Sequence, residues 1–202
     1  MSKAYEVVKT FESEMANYVG SKYAVSVDSC TNAIFLCLKY LNVQKVTIPS
    51  RTYPSVPCSI IHAGGNVEFK NIDWNQQRYY QLDPYPIFDA AHCFKENMFK
   101  TIASKKTNAY VCISFSITKP INIGKGGMIF TNSFDAAKWF KQARYCGRHE
   151  KPLMKDTFEM LGWNMYMTPE QAARGLFLFK SNNFREGHIP EYPDLSKFKI
   201  YG

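Results

Sequence analysis

Apolar segments of two different periods take turns along this chain, and that alternation limits its fold more than any other feature. Val8, Phe11, Met15 and Val19 recur at helical spacing and stop at Gly20. YAVSV (23–27) then reads as a short strand, DSCT as a turn with capping side chains, and NAIFLCLKYL as a helix. KVTI (45–48) is a strand closed by Pro49, VPCSIIHA (56–63) a helix closed by Gly64–Gly65, and VEFKNI (67–72) a strand. The middle of the chain offers only a very short strand, PIF, ending before Asp89, and then a helical or coiled excursion. AYVCISFS (109–116) and GGMIFTN (126–132) read as buried strands, and FDAAKWFKQARYCG as a helix with a glycine stop. TPEQAARGLFLFK opens with Thr168 as a cap and Pro169 at the first helical position. Strands separated by helices pair through helical crossovers, so the pattern predicts an α/β layer fold with a mainly parallel sheet. Ligands of such sheets bind at the carboxyl ends of the strands.

Size and composition agree with one domain. The chain has 202 residues, 46% of them hydrophobic and 21% charged, enough to bury a core. Residues 1–180 carry the alternating pattern. Residues 181–202 are polar, bear proline and glycine, and read as an extended tail rather than a second core. The formal net charge of +8 suits an anionic ligand. The basic residues are scattered, in pairs no longer than Lys105–Lys106 and Arg148–His149, so nucleic acid is not the expected partner. No two of Cys30, Cys37, Cys58, Cys93, Cys112 and Cys146 share a C-x-x-C spacing, so neither a metal site nor a disulfide framework is expected. With an N-terminus that has acids and no apolar core, this points to the cytoplasm and away from a membrane.

The strand ends collect chemistry. Asp28, Ser29, Cys30 and Thr31 follow the first strand, and Arg51, Thr52 and Tyr53 the second. Asp89 and His92 follow PIF, and ISFS supplies Ser114 and Ser116 ahead of Lys119. Each has an ordinary reading: Ser29 and Thr31 as helix caps, Asp89 as a cap, Tyr53 as loop packing, His92 as a satisfied helix-face histidine, Lys119 as a solvated cation. Together they match the needs of pyridoxal 5′-phosphate. A lysine amine condenses with its aldehyde, a carboxylate keeps its pyridine nitrogen protonated, an aromatic stacks on the ring, and hydroxyls at a helix N-terminus hold the phosphate.

The segments FESEMANYVGSKYAVSVDSCTNAIFLCL, IPSRTYPSVPCSIIHAGGNVEFKNID, PIFDAAHCF, SFSITKPINIGKGGMIFTN, RYCGRHE and LGWNMYMTPEQAARG follow one another in the order seen in a known family. Over residues 11–180 the chain resembles the pyridoxal-phosphate-dependent sugar aminotransferases of the DegT/StrS group. The resemblance implies a three-layer αβα domain, the large domain of fold-type I aminotransferases, around a mostly parallel central sheet of about seven strands. It makes Lys119 the lysine that anchors the cofactor and Asp89 the partner of the pyridine nitrogen. Tyr53 becomes the stacking aromatic, and Ser114, Cys30 and Thr31 the phosphate holders. His92 falls where the family has Gln or His beside the cofactor. Asn164 matches an asparagine that reaches the partner subunit's phosphate, which implies a homodimer.

Cys30 stands where that family has glycine, Lys125 where it has glutamate and Tyr166 where it commonly has arginine. The family's lead before the first helix and its small C-terminal domain are both missing from the pattern. The reaction that the resemblance implies moves an amino group from glutamate to an anionic keto sugar carried on a nucleotide. The alternatives are a degenerate cofactor- or ligand-binding protein, or one subunit of a split enzyme completed by a second polypeptide. A dehydratase relative would carry histidine where Lys119 sits.

Overall fold

The computed structural model describes residues 5–201 apart from 105, 107, 183 and 185–187. Residues 1–4 of the expected domain, Lys105 of the basic pair, and residues 183, 185–187 and 202 of the expected tail lie outside the described residues.

Strands β1 (Tyr23–Val27), β2 (Lys45–Pro49), β3 (Asn66–Lys70), β4 (Tyr80–Gln81), β5 (Ile87–Asp89), β6 (Tyr110–Ser114) and β7 (Gly127–Thr131) form the sheet layer. Five of them hydrogen-bond in the order β1-β7-β6-β5-β4, and β2 pairs with β3. An antiparallel bridge between Thr47 and Asp83 links the two ladders. Followed through these pairings, β1, β2, β3, β5 and β6 run one way, and β7 and β4 run against them. β4 is too short and too polar to show in the sequence, and Asp89 falls inside β5 rather than after it.

Side-chain alternation along the strands feeds two cores. Val25, Val27, Cys112 and Ile129 face helices α2 (Cys30–Tyr40), α3 (Ser55–His62) and α5 (Phe134–Ala143). Ala24, Val111, Ile113, Met128 and Phe130 face α1 (Glu6–Val19), α4 (Met98–Ala103) and α6 (Pro169–Lys180). This is the αβα sandwich, each layer shedding its apolar face onto the sheet. The helix ends follow local chemistry. Gly20 closes α1 with φ of 80°, in the left-handed region that glycine adopts without strain. Thr168 and Gln171 form a reciprocal capping box at the start of α6, with Pro169 at the first position as expected.

One buried ion pair joins three elements. Glu12 of α1 accepts from the backbone N–H and the hydroxyl of Ser26 in β1, both at 2.8 Å. The guanidinium of Arg144, at the end of α5, bonds the same carboxylate and the carbonyl of Ser26. Glu12, Ser26 and Arg144 are all buried. The Arg144 carbonyl accepts from Met165 N–H at 2.9 Å, and the Met165 carbonyl accepts from Asp28 N–H at 2.9 Å. The turn after β1 is thereby tied to the pair.

The tail crosses the surface in short 3-10 turns at Leu195–Lys197 and Lys199–Tyr201. It is not free of the body. Leu195 is buried, and its N–H donates to the Ser50 carbonyl at 2.8 Å.

Arg144→Ala removes the cation and leaves Glu12 buried, so it should lower unfolding free energy by about 3–5 kcal/mol in urea titrations. The double variant Arg144→Met with Glu12→Gln, which keeps an acceptor for Ser26 N–H, should recover much of that loss.

Candidate active site

The carboxyl ends of β1, β2, β5 and β6 open on a cavity of about 500 Å³. Cys30, Thr31, Tyr53, Asp89, His92, Ser114 and Lys119 all line it. Asn164 does not line it; it lies in a bridge with Tyr145 on the loop before α6.

Each side chain arrives by a simple local route. Ser29 caps α2 by accepting from Asn32 N–H at 3.2 Å, which leaves Cys30 and Thr31 in the first helical turn at the cavity wall. Gly127 permits this approach. A Cβ there would lie 2.4 Å from the Ser29 carbonyl carbon, so no side chain fits between β7 and the start of α2. Cys30 is buried at this wall, and burial pushes its thiol's pKa well up. The Thr31 and Ser55 hydroxyls bond each other at 2.8 Å across the cavity floor between α2 and α3. Ser114 closes β6, and its hydroxyl accepts from Ser116 N–H at 3.3 Å.

At the centre, Asp89 is buried at the end of β5. Its Oδ1 accepts from Ala91 N–H at 2.9 Å and its Oδ2 from the Tyr80 hydroxyl at 2.8 Å. Burial raises its pKa, while those two donors and the charge of Lys119 pull it back down. Lys119 is only 8% exposed. Its Nζ lies 2.6 Å from His92 Nε2 and 3.3 Å from Nδ1. Burial lowers the lysine's pKa against the raising effect of Asp89. Burial, reinforced by Lys119 and Arg78, drops His92 to about 3, so its ring is neutral at working pH. Neither Lys119 nor His92 is the solvated or helix-face residue of its ordinary reading. Tyr53 is 58% exposed and stands at the rim.

The arrangement fits an aldehyde-bearing, cationic-ring, phosphorylated cofactor. A buried amine that gives up its proton readily suits attack on an aldehyde. A buried carboxylate whose charge burial disfavours gains from a cationic ring placed beside it. A helix N-terminus with hydroxyls suits a phosphate.

Trp74, Pro190 and Tyr192 line the cavity and were not expected there, and Tyr80 supports it through Asp89. Trp74 packs against Tyr80 and His92 and donates from Nε1 to the Arg51 carbonyl at 2.9 Å. Tyr80 bonds Thr52 and Asp89. Lys125 lies 3.9 Å from Asp28 at the rim, and Pro190 and Tyr192 arrive from the tail. Trp74 and Tyr80 sit in a polar stretch without period, where an aromatic cluster is the only signal.

Comparison with known proteins places this geometry. The model of the DegT/DnrJ/EryC1/StrS aminotransferase family matches residues 1–87 and 81–183. The spore coat polysaccharide biosynthesis protein SpsC of Bacillus subtilis is 26% identical over 226 residues, covering 86% of this chain and 56% of that protein. GDP-perosamine synthase of Caulobacter vibrioides is 26% identical over 216 residues, covering 87% of this chain and 57% of that protein. Among solved structures, DesV of S. venezuelae superposes with a TM-score of 0.69 at 19% identity, covering 88% of this chain and 57% of that one. The chain thus spans little more than half the length of the relatives it matches. Both alignments are longer than the whole chain, so the relatives carry residues that this chain lacks, and the two matched segments meet at 81–87, beside β4 and β5.

The lowered lysine pKa has a direct readout. In competitive acetylation, Lys119 should reach half-labelling at lower pH than the surface lysines. Between that lowered value and the ordinary 10.5, the unfolded chain holds a proton that the folded site has released, so the stability of wild type relative to Lys119→Met should rise with pH across the window.

Proposed function

The chain belongs to the DegT/DnrJ/EryC1/StrS aminotransferase family, and from that premise we propose that the cavity binds pyridoxal 5′-phosphate and serves transfer of an amino group from glutamate to a keto sugar carried on a nucleotide. The observation that carries this reading is the buried Lys119 amine against neutral His92, with buried Asp89 lining the same cavity. Pyridoxal phosphate supplies, when bound, an electron sink at the carbon that exchanges its amino group.

The chain's own residues do the rest. Lys119 would hold the cofactor and, as a free amine, would move the proton between the donor's α-carbon and the cofactor's C4′. Asp89 keeps the pyridine nitrogen protonated, with Tyr80 and Ala91 N–H fixing the carboxylate's orientation. Thr31, Ser114 and the N–H groups that open α2 take the phosphate, and Tyr53 closes over the ring from the rim. The net charge of +8 and Lys125 at the mouth suit an acceptor bearing phosphates.

Assembly as a homodimer is part of the proposal. Met154 is 95% and Leu161 92% exposed, on the segment that leads to Asn164, and large apolar side chains so exposed favour a covered surface. In this reading Asn164 serves a partner's phosphate rather than this chain's own. A location in the cytoplasm follows the same reading; among the described residues no helix is long and apolar enough to cross a membrane. We assign residues 1–180 to the cofactor-binding domain and 181–202 to a tail.

Borohydride should fix pyridoxal phosphate on Lys119, and glutamate should move the visible band of the loaded protein into the near ultraviolet. Lys119→Ala should abolish the fixation and cut turnover by about 10²–10⁴-fold or more. A loaded protein that keeps its band in glutamate, alone and with any completing polypeptide, would favour a ligand-binding role. Leu161→Asp should convert a sedimenting dimer to monomer.

A further inference from the structure

Tyr192 is remote from the rest of the cavity in sequence but not in space. Its hydroxyl lies 3.0 Å from His92 Nε2, the same nitrogen that lies 2.6 Å from Lys119 Nζ. Its ring stacks on Trp74 with centroids 6.2 Å apart and planes 29° from parallel. It meets Tyr53 edge-on at 6.4 Å. The backbone is anchored as well: the Arg51 guanidinium donates to the Tyr192 carbonyl at 3.1 Å, and Leu195 is held at Ser50. Residues 188–195 thus form a strap across the cavity mouth, fixed along the edge that follows β2.

The contact at Nε2 has a consequence for Lys119. A neutral imidazole has one lone pair and one N–H to offer. Burial and the nearby Asp89 push the Tyr192 hydroxyl up to about 12, so it keeps its proton and is a donor at every working pH. We propose that Tyr192 is a positioning residue for Lys119: its hydroxyl competes with the lysine ammonium for the single His92 Nε2 lone pair, weakens that hold on the lysine's proton, and so favours the free amine while the strap roofs the cavity. The link to chemistry rests on the pyridoxal phosphate reading of the cavity; the link between Tyr192, His92 and Lys119 does not. The other groups facing this pair are Asp89 of β5, Cys30 of α2 and Arg78 from the loop before β4, on Lys119, and His188 of the strap, on His92. Tyr192→Phe leaves all of them in place.

The test uses the full chain and two variants. Tyr192→Phe keeps the stack on Trp74 and loses only the hydroxyl; Tyr192→Ala loses both. Without added ligand, hydrogen exchange should show the Leu195 amide protected in wild type and Tyr192→Phe, and exchanging at least about tenfold faster in Tyr192→Ala. In the same samples the pH of half-acetylation of Lys119 should rise by about 0.4–1 unit in Tyr192→Phe, the shift that one hydrogen bond of ordinary strength supports. A purely structural tyrosine would leave that pH unmoved in the phenylalanine variant, and this outcome overturns the positioning role. A wild-type Leu195 amide that exchanges at the rate of an open chain overturns the strap. Pyridoxal phosphate is then added to each protein. Absence of visible absorbance in all of them counts against the cofactor reading alone, whereas faster loss of the bound cofactor from Tyr192→Ala supports the roof.

Discussion

The Arg144–Glu12 pair is the constraint on which the arrangement of this molecule depends. Taking a guanidinium and a carboxylate out of water is expensive, and only a full set of partners offsets the loss. Ser26 supplies that set with its N–H, its hydroxyl and its carbonyl. The charges therefore fix where α1, β1 and the end of α5 stand relative to one another. Through the backbone carbonyls of Arg144 and Met165 the same residue is tied to the turn at Asp28, two residues before α2 begins. Arg144 is not part of the cavity, yet two backbone hydrogen bonds connect it to the turn from which Cys30 and Thr31 enter it.

Strand direction explains why the chemistry sits at one edge. β1, β2, β5 and β6 end there, and each delivers its polar residue as its strand stops. β7 runs against them, so its beginning, rather than its end, reaches the same edge, and it contributes glycines instead of reactive groups. Gly126 and Gly127 admit the backbone of the α2 turn and the side chain of Met167 at distances no Cβ would tolerate. An open cavity beside a tightly packed seam is the result: residues with function on one side, residues chosen for their lack of bulk on the other.

Most of the walls were legible in the chain because local rules and tertiary context agree there. YAVSV is β1 residue for residue, and Thr168, Pro169 and Gln171 begin α6 as their chemistry dictates. Lys119, Asp89, Ser114 and Tyr53 stood out because they follow apolar runs, and all four line the cavity. The segment between β3 and β5 was opaque. β4 has two residues and pairs by edge contact, so no period marks it, and Trp74, Arg78 and Tyr80 are brought to the site by that pairing and by bonds to Arg51, His92 and Thr52 that are remote in sequence. Tyr192 was opaque for a related reason. A polar, proline-bearing stretch carries no local instruction to turn back on the body, and its position is set by partners such as Trp74 and Arg51.

The span between those partners has a temporal side. The hydrogen bond from Arg51 to Tyr192 joins residues 141 positions apart. Chains are made from the N-terminus at about 5–20 residues per second, so the walls contributed by β1, β2, β5 and β6 leave the ribosome seconds before the residues that cover them. Of the residues that line the cavity, Tyr192 is the last to be synthesised, so the cover is the final part of the site to exist as chain.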